Sequence, residues 1–443
     1  MGYEQNRTIQ HKKMIEKLME EFTGRINKIV RTKLNSQNLT KAINTYAVPL
    51  LTYSFGIVKW SKTELESLER KLRVILAQNN KLHPNAAIKR QKLPRTAGDR
   101  GIIDISSQHT KQIYGLKKYF HQKAQESEIH RAIEEADKGY TVLNLNTKPP
   151  QRNPKWNQEA MAEKISRWKQ KSLHGRYPAE IEAEGVDKMA SFMWLRSGSL
   201  FPETEGFIMA IQDQVVSTKN YKKYIQKEDI VDTCRVCGKK SETIQHIIAG
   251  CEALASAEYT ERHNNVAKIL HRAMVLKYKK KTVVEPYYKY EPEKLLEDDR
   301  FKVYWDRMIM TNYTVAFNRP DITVIDKSTG RIFLIDVAVP NTSNVERTLK
   351  TKIEKYAPLA SGMKKQMKAT AVTVLPIVIS ATGIVPEKTM KSLNTLMRWN
   401  SYIIEAMQKT VLLATAWIVR RVIGEEQWTE KAQTSYSFGY YPL

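Results

Sequence analysis

The sequence predicts an α+β fold built from several parts, and three features carry that prediction. Apolar residues recur at helical spacing through the first third of the chain. All three cysteines fall in one short window with a histidine at metal-ligand spacing. From Val315 onward the pattern turns to short strand-like runs broken by a turn and a charged helix. The expected parts are a helical, basic unit over residues 1–135, a helical linker over 136–225, a small cysteine-histidine knuckle region over 226–278, an α/β domain over 279–395 and a helical tail over 396–443.

The first unit opens with Met14, Leu18, Phe22, Ile26 and Val30 on one face of a helix within residues 11–33. A second helix runs through Ala42 and Tyr46 to Tyr53, with Pro49 expected to kink it. A third spans about 62–78 with Leu65, Leu68, Leu72 and Leu76 in line. Ser61 followed three residues later by Glu64 reads as a capping box at its start. The loops around Lys81-Leu82-His83-Pro84 and Leu93-Pro94-Arg95 through Gly101 break helix and carry basic residues. Residues 136–160, with Asn144, Asn146, Pro149, Pro150 and Pro154, have the composition of a linker, and helical patterning resumes near 161–171, 188–195 and 255–278. The strand-like runs are 322–325, 331–337 and 370–379, with a charged helix over 345–356 before the last. Another amphipathic helix is expected over 396–423.

At 443 residues the chain exceeds one ordinary core, and its hydrophobic and charged fractions, 42% and 27%, are those of soluble globular protein. The net charge of +25 is not ordinary. Residues 1–130 hold 24 Lys/Arg against 11 Asp/Glu, so over half the excess lies in the first third. Such a charge attracts a polyanion and releases its counterions, which points to nucleic acid as partner, the alternatives being an anionic membrane surface or solubility alone. The first residues, Met1-Gly2-Tyr3-Glu4-Gln5, form no secretory signal. The uncharged apolar stretch 369–386 is interrupted by Pro376 and Gly383 and is too short for a bilayer span. Three cysteines without secretory context argue against a disulfide framework. An intracellular, soluble protein without a membrane partner is the expectation.

The cysteine window reads Cys234-x2-Cys237-x8-His246-x4-Cys251. Gly238 allows a tight turn after the first pair, and a short helix over 243–249 lets His246 face it. Three thiolates and one imidazole suit tetrahedral zinc, and four protein ligands with no open position make the site structural. The alternative is three buried thiols and a surface histidine. Lys239, Lys240, Arg262 and His263 lie nearby and either grip phosphates or form a solvated face.

Asn318-Arg319-Pro320-Asp321 leads into one strand, and Asp336 lies in the next, Phe333-Leu334-Ile335-Asp336-Val337-Ala338-Val339-Pro340. A hairpin through Lys327-Ser328-Thr329-Gly330 can set the two aspartates side by side. Two hard oxygen donors there can hold Mg²⁺, which polarises a phosphodiester and activates water. Lys352 and Lys355, three apart on the following helix, share a face and offer the cation that steadies the water or the developing charge. Asp336 in an apolar strand needs a metal or a lysine partner. The alternative has Asp321 capping a turn after Pro320 and Asp336 pairing with one lysine.

These segments resemble the C-terminal half of non-LTR retrotransposon proteins of the restriction-like-endonuclease type, the class that includes elements inserting into ribosomal RNA genes. The likeness begins at Gly2-Tyr3-Glu4-Gln5 and runs through Ala42-Ile43-Asn44-Thr45-Tyr46-Ala47, Tyr53-Ser54-Phe55-Gly56, Lys59-Trp60, His83-Pro84, Leu93-Pro94-Arg95 and Gly101-Ile102, which are similar to the thumb of such polymerases. Thr204-Glu205 and Gln212-Asp213 resemble the segment before the zinc knuckle. Cys234, Cys237, His246, Cys251 and then Arg262-His263-Asn264 resemble the knuckle itself. Arg319-Pro320-Asp321, Asp336-Val337-Ala338-Val339-Pro340 and Lys355-Tyr356 resemble the endonuclease motifs.

The resemblance implies a PD-(D/E)xK-like nuclease fold, a mixed sheet flanked by helices, that nicks target DNA to prime reverse transcription. It implies Asp321 and Asp336 as magnesium ligands and, because Ala338 stands where the usual lysine sits, Lys352 or Lys355 as the catalytic cation. Arg319, Arg262, His263, Lys239 and Lys240 become nucleic-acid contacts, with DNA target and element RNA as partners and the nucleus as the place of action. Two departures are visible. The polymerase's Tyr/Phe-x-Asp-Asp carboxylates are absent, the one Asp-Asp being Asp298-Asp299 in a charged run, so a palm would come from a longer polyprotein. Thr311-Asn312 replaces an expected Thr-Asp. A nucleic-acid-binding remnant without catalysis is the second expectation, and a structural protein with zinc and no nucleic-acid role is the third.

Overall fold

A computed structural model of the chain describes residues 9–88, 90–149, 156–279, 285, 287–397 and 401–424. The segment Gly2-Tyr3-Glu4-Gln5, the linker prolines Pro150 and Pro154, and the tail beyond 424 lie outside the described residues. The fold is α+β, many helices with a five-stranded mixed sheet. It forms two compact units, the first of Met1–Gln170 and Ser197–Phe207, the second of Lys171–Arg196 and Ile208–Leu443. The stretch expected as a linker, 136–225, is therefore divided between them.

The first unit is helical, and its helices follow the apolar periodicity. His11–Val30 buries Met14, Ile15, Leu18, Phe22, Ile26 and Val30. Lys62–Gln78 begins at the capping box, with the Glu64 amide donating to Ser61 Oγ at 3.2 Å and the Ser61 amide to the Glu64 carboxylate at 2.7 Å. Around Pro49 a π-turn over Ile43–Ala47 links Ser36–Ala42 to Val48–Thr52. Proline has no amide to give the preceding turn, and the wider turn places it within the first turn of the next segment, where none is needed. Ile105–Lys123, capped by Asp104, and Glu128–Ala136 follow.

The loop basic residues of this unit turn inward. Glu205 is fully buried, and its carboxylate receives Arg95 Nη1 at 3.0 Å, Arg100 Nε at 2.8 Å and the Ser36 hydroxyl. Thr204-Glu205 thus packs against the Leu93-to-Gly101 loop as an internal counter-charge. Asp99 lies in the same interior, 2% exposed, with one carboxylate oxygen lacking a hydrogen-bond partner. Burial raises its pKa to about 7 against the opposing pull of Arg90 and Arg100.

The second unit is organised on the sheet. The strands are β1 (Leu295–Glu297), β2 (Phe301–Trp305), β3 (Ile322–Asp326), β4 (Arg331–Ala338) and β5 (Ala371–Val378), in that spatial order. β1 to β4 pair antiparallel, and β4 pairs parallel with β5. A parallel neighbour requires a crossover, supplied by the helix Val345–Gln366. β4 is buried from Ile332 to Val337, as a strand covered on both faces must be. On one face Ile322, Val324, Ile335, Val337 and Leu375 pack with Leu270 and Met274 of Thr260–Lys279 and with Ile404, Met407 and Val411 of Ser401–Ile423. On the other, Ile332 and Leu334 pack with Tyr356, Leu359 and Met363 of the crossover helix.

Four local outcomes differ from the sequence expectation. The change to β begins before Val315, because β1 and β2 already cover 295–305, while 315 itself lies in a loop. The charged run is the β1–β2 turn, in which Asp298 Oδ1 accepts from the Arg300 and Phe301 amides at 2.8 and 2.7 Å. The crossover helix continues past 356 through Pro358 to Gln366. Ser401–Ile423 is buried around most of its circumference rather than amphipathic. It is long and apolar enough to cross a membrane, yet 67% of the qualifying window is buried inside the fold.

One pH dependence follows from Asp99. With a folded pKa of about 7 against about 4 unfolded, the native state holds the extra proton between those values. The acid therefore contributes full stability below pH 4 and loses it as pH rises to about 7, by roughly 4 kcal/mol at most. Thermal unfolding of Asp99→Asn across pH 4–7.5 is expected to lack that decline relative to the wild type. Parallel curves for the two proteins would refute the assignment.

Candidate functional site

The four expected ligands of the cysteine window come together. A bridge between Thr233 and Ser241 closes the loop, the Cys234 amide donates to the Lys240 carbonyl at 2.8 Å, and the Gly238 amide donates to the Cys234 carbonyl at 2.9 Å. Gly238 has φ +65°, a conformation that glycine adopts without penalty. Thr243 caps the helix Ile244–Ala249 through the His246 amide at 3.1 Å. That helix carries His246 back so that its Nε2 lies 3.3 Å from Cys237 Sγ. Cys251 follows directly after the helix. The ligand atoms of Cys234, Cys237, His246 and Cys251 all lie within 4.8 Å of one another. Tetrahedral zinc with bonds of about 2.0–2.3 Å sets its ligand atoms roughly 3.5–3.8 Å apart, so the cluster can hold such an ion. The Lys239 and Lys240 amides, more than any side chain, pull the Cys237 thiol down to about 6, whereas burial pushes Cys251 up to about 11.

The residues around the cluster supply what a coreless loop lacks. Glu242 is fully buried and accepts from the Arg235 amide, Nε and Nη2 at 2.8–2.9 Å and from the Lys219 amide at 2.9 Å. Tyr259 donates its hydroxyl to the Ile247 carbonyl at 2.6 Å and accepts from the Cys251 amide at 3.2 Å. Neither residue was singled out from the sequence. A buried acid followed by a capped helix leaves no periodic trace, and a tyrosine eight residues past the last cysteine is an ordinary helical residue until the fold closes.

The carboxylate pair also converges. β3 and β4 pair Ile322 with Ile335. Asp321 directly precedes Ile322 and Asp336 directly follows Ile335, so the two acids lie at the same end of the two strands, and His263 feels the charge of both. Asp336 is 2% exposed. Its Oδ2 contacts Lys352 Nζ, and its Oδ1 lies 3.9 Å from Lys355 Nζ. The Lys352 contact is an ion pair without hydrogen-bond geometry, so Oδ2 accepts no hydrogen bond. Lys352 reaches it because Leu349, Lys352, Tyr356, Leu359 and Met363 fall at helical three- and four-residue steps, placing the lysine on the buried stripe of the crossover helix.

Asp321 accepts the Val337 amide at Oδ2, 2.7 Å, and its Oδ1 lies 3.2 Å from His263 Nε2. Burial would raise the Asp321 pKa, but the His263 hydrogen bond and charge, the Val337 amide and Lys352 together hold it below the usual value. Burial opposes the His263 imidazolium, yet Asp321 and, behind it, Asp336 hold that pKa above its usual value. Tyr356 donates to the Arg319 carbonyl at 3.0 Å, and burial with Asp336 nearby pushes its phenol upward.

The five expected nucleic-acid contacts are placed very differently. Lys239 and Lys240 are exposed, Lys239 lying 3.3 Å from Glu252. His263 faces Asp321, so its role beside the knuckle is replaced by one in the carboxylate site. Arg262 is 1% exposed and is not on the surface as expected. Its Nη1 donates to the Ile248 carbonyl at 2.8 Å and the Thr415 hydroxyl at 2.9 Å, and its Nη2 to the Val339 carbonyl at 3.4 Å. Burial lowers its pKa to about 10, which leaves it charged at neutral pH, stacked over Tyr259. Arg319 is exposed but forked onto Asp306, Nε to Oδ1 at 2.8 Å and Nη2 to Oδ2 at 2.6 Å. Burial and pairing consume these two guanidinium groups because arginine matches carbonyl and carboxylate acceptors geometrically.

Compared with known protein families and curated proteins, the chain matches no family model and no curated sequence.

The cluster predicts one bound zinc per chain in protein purified without chelator, measured by elemental mass spectrometry, and none in Cys234→Ser. A wild type that folds identically with no metal would remove the cluster from the list of sites.

Proposed function

We propose that the chain is the nucleic-acid-binding and DNA-nicking part of a retroelement protein, with a zinc knuckle and a PD-(D/E)xK-like metal-dependent endonuclease centred on Asp321 and Asp336. The single observation that carries the reading is that two acids fifteen residues apart lie at the same end of neighbouring strands, with His263 near both and two lysines of the next helix on Asp336. The mixed sheet with helices on both faces accords with it. So do the Cys-Cys-His-Cys cluster and the net charge of +25.

The donor set fits magnesium. That ion is held by one or two carboxylates and keeps several waters, and Asp321 and Asp336 are two hard oxygen donors at one strand end, Asp336 with lysines already on both oxygens. Magnesium bound by Asp321 and Asp336 would polarise the phosphodiester and lower the pKa of a bound water. The protein's own groups would do the rest. Lys352 and Lys355 present positive charge where the pentacovalent phosphate develops negative charge. His263 and the Val337 amide fix the rotamer of Asp321, and Tyr356 ties the crossover helix to the backbone at Arg319. The partners are a DNA target and the element's RNA, the place of action is the nucleus, and polymerisation would fall to a palm carried elsewhere.

A second reading, a binder that does not cut, is favoured by one observation: both acids already have cationic neighbours, His263 for Asp321 and the two lysines for Asp336. Plasmid nicking separates the two. With magnesium, the wild type is expected to nick supercoiled DNA at least ~100-fold faster than Asp321→Ala or Asp336→Ala, the loss typical of removing a group that stabilises developing charge. Equal rates for wild type and double mutant would leave the binder. Binding of either kind is expected to weaken steeply between 50 and 200 mM salt, by ~10³ for six or more phosphate contacts. Salt-independent affinity would remove nucleic acid as the partner.

A further inference from the structure

We propose that the loop over residues 306–319 is a stacking platform for an unpaired DNA base next to the phosphate cut at the Asp321–Asp336 site. The proposal rests on the nuclease reading above and adds a surface that the reading does not use.

The loop exposes four large apolar side chains within ten residues, Met308 at 56%, Met310 at 73%, Tyr313 at 47% and Phe317 at 52%. It is nonetheless held firmly. Ile309 is buried, and its amide donates to the Asn318 carbonyl at 2.8 Å. The Asn312 amide donates to Gln366 Oε1 at 3.1 Å, and the Tyr313 hydroxyl to the Pro358 carbonyl at 3.0 Å. At the loop's ends the Asp306 amide donates to the Asp321 carbonyl at 2.7 Å, and Arg319 forks onto the Asp306 carboxylate. Asp306 adopts φ +44° within this clamp. An apolar loop pinned in the open differs from a floppy one, because its exposed rings lose little conformational freedom when something covers them.

Chemistry and position identify the occupant. Phe317 lies against Lys355, whose Nζ is 5.1 Å from the ring centroid and 3.9 Å from Asp336 Oδ1. A group stacked on Phe317 would therefore sit one side chain away from the candidate scissile phosphate. The cation against it, Lys355, with Lys352 one turn earlier on the same helix and also on Asp336, suits a polyanion rather than a neutral protein surface. An aromatic face beside a cation is the platform on which nucleobases stack, and methionine and phenylalanine are also the side chains that wedge between base steps. A base within a duplex is already stacked on both sides. The platform therefore selects DNA that is unpaired or opened at the cut.

The test uses the full chain with calcium in place of magnesium, so that binding is read apart from cutting. The probe is a duplex with 2-aminopurine either paired or in a two-base bubble beside a fixed flank. The bubble is expected to bind roughly tenfold tighter than the duplex with a change in 2-aminopurine emission that the duplex lacks. Phe317→Leu, which keeps apolar volume without the ring, and Tyr313→Ala are expected to erase the preference while leaving duplex affinity within twofold. Circular dichroism confirms their fold. Salt-sensitive duplex binding without bubble preference, or a preference that survives both variants, overturns the platform and leaves the nuclease reading standing. No binding to either DNA at 50 mM salt overturns both.

Discussion

A carboxylate near the end of an apolar strand governs the second unit. β4 is covered on both faces, so Asp336 cannot reach solvent, and an unanswered charge there costs several kcal/mol. Its answer is supplied by the crossover helix. Parallel pairing of β4 with β5 requires that helix, and the phase of its buried stripe sets Lys352 on the sheet side with Lys355 beside it. The same helix packs Tyr356, Leu359 and Met363 against Ile332 and Leu334. Core packing and charge compensation are thus two faces of one element, and the position of the lysines relative to the acid is as fixed as the core.

The cysteine cluster and the carboxylate site share a second element, Thr260–Lys279. Arg262 and His263 are consecutive on it, so their side chains diverge by about 100° around the helix axis. Arg262 donates to carbonyls of the cluster's helix and of the chain just after β4, and His263 meets Asp321. Tyr259, in the preceding turn, holds the carbonyl of Ile247 and the amide of Cys251. A region as small as the knuckle has little apolar core of its own. These backbone-directed bonds orient it and bring together four ligand atoms that could hold a metal.

The large positive charge is distributed less freely than its sum suggests. Arg95 and Arg100 surround a buried glutamate in the first unit, Arg262 serves three internal acceptors, and Arg319 is forked onto a neighbouring aspartate. Lysines, with a single flexible ammonium, remain outside more often, as Lys239 and Lys240 do. The positive charge left at the surface is therefore carried by lysines such as these more than by the four arginines named.

Much of what depends on local periodicity was legible in the sequence, though the tail helix read as amphipathic is buried nearly all round. The buried stripe from Met14 to Val30, the capping box at Ser61, the hairpin that aligns Asp321 with Asp336 and the convergence of Cys234, Cys237, His246 and Cys251 all follow from steps of 3.6 or 2 residues or from ligand spacing, which act over a few residues. β1 and β2 were hidden because three- and five-residue strands flanked by Glu297, Asp298, Asp299 and Arg300 carry too little alternation to stand out. The inward turn of Arg262, the partnership of His263 with Asp321, the burial of Glu205 and Glu242 and the return of residues 197–207 to the first unit were decided by tertiary structure. Each depends on an acceptor or a core supplied by a segment distant in sequence, and a side chain's type states what it can bond to but not which group folding will bring within reach.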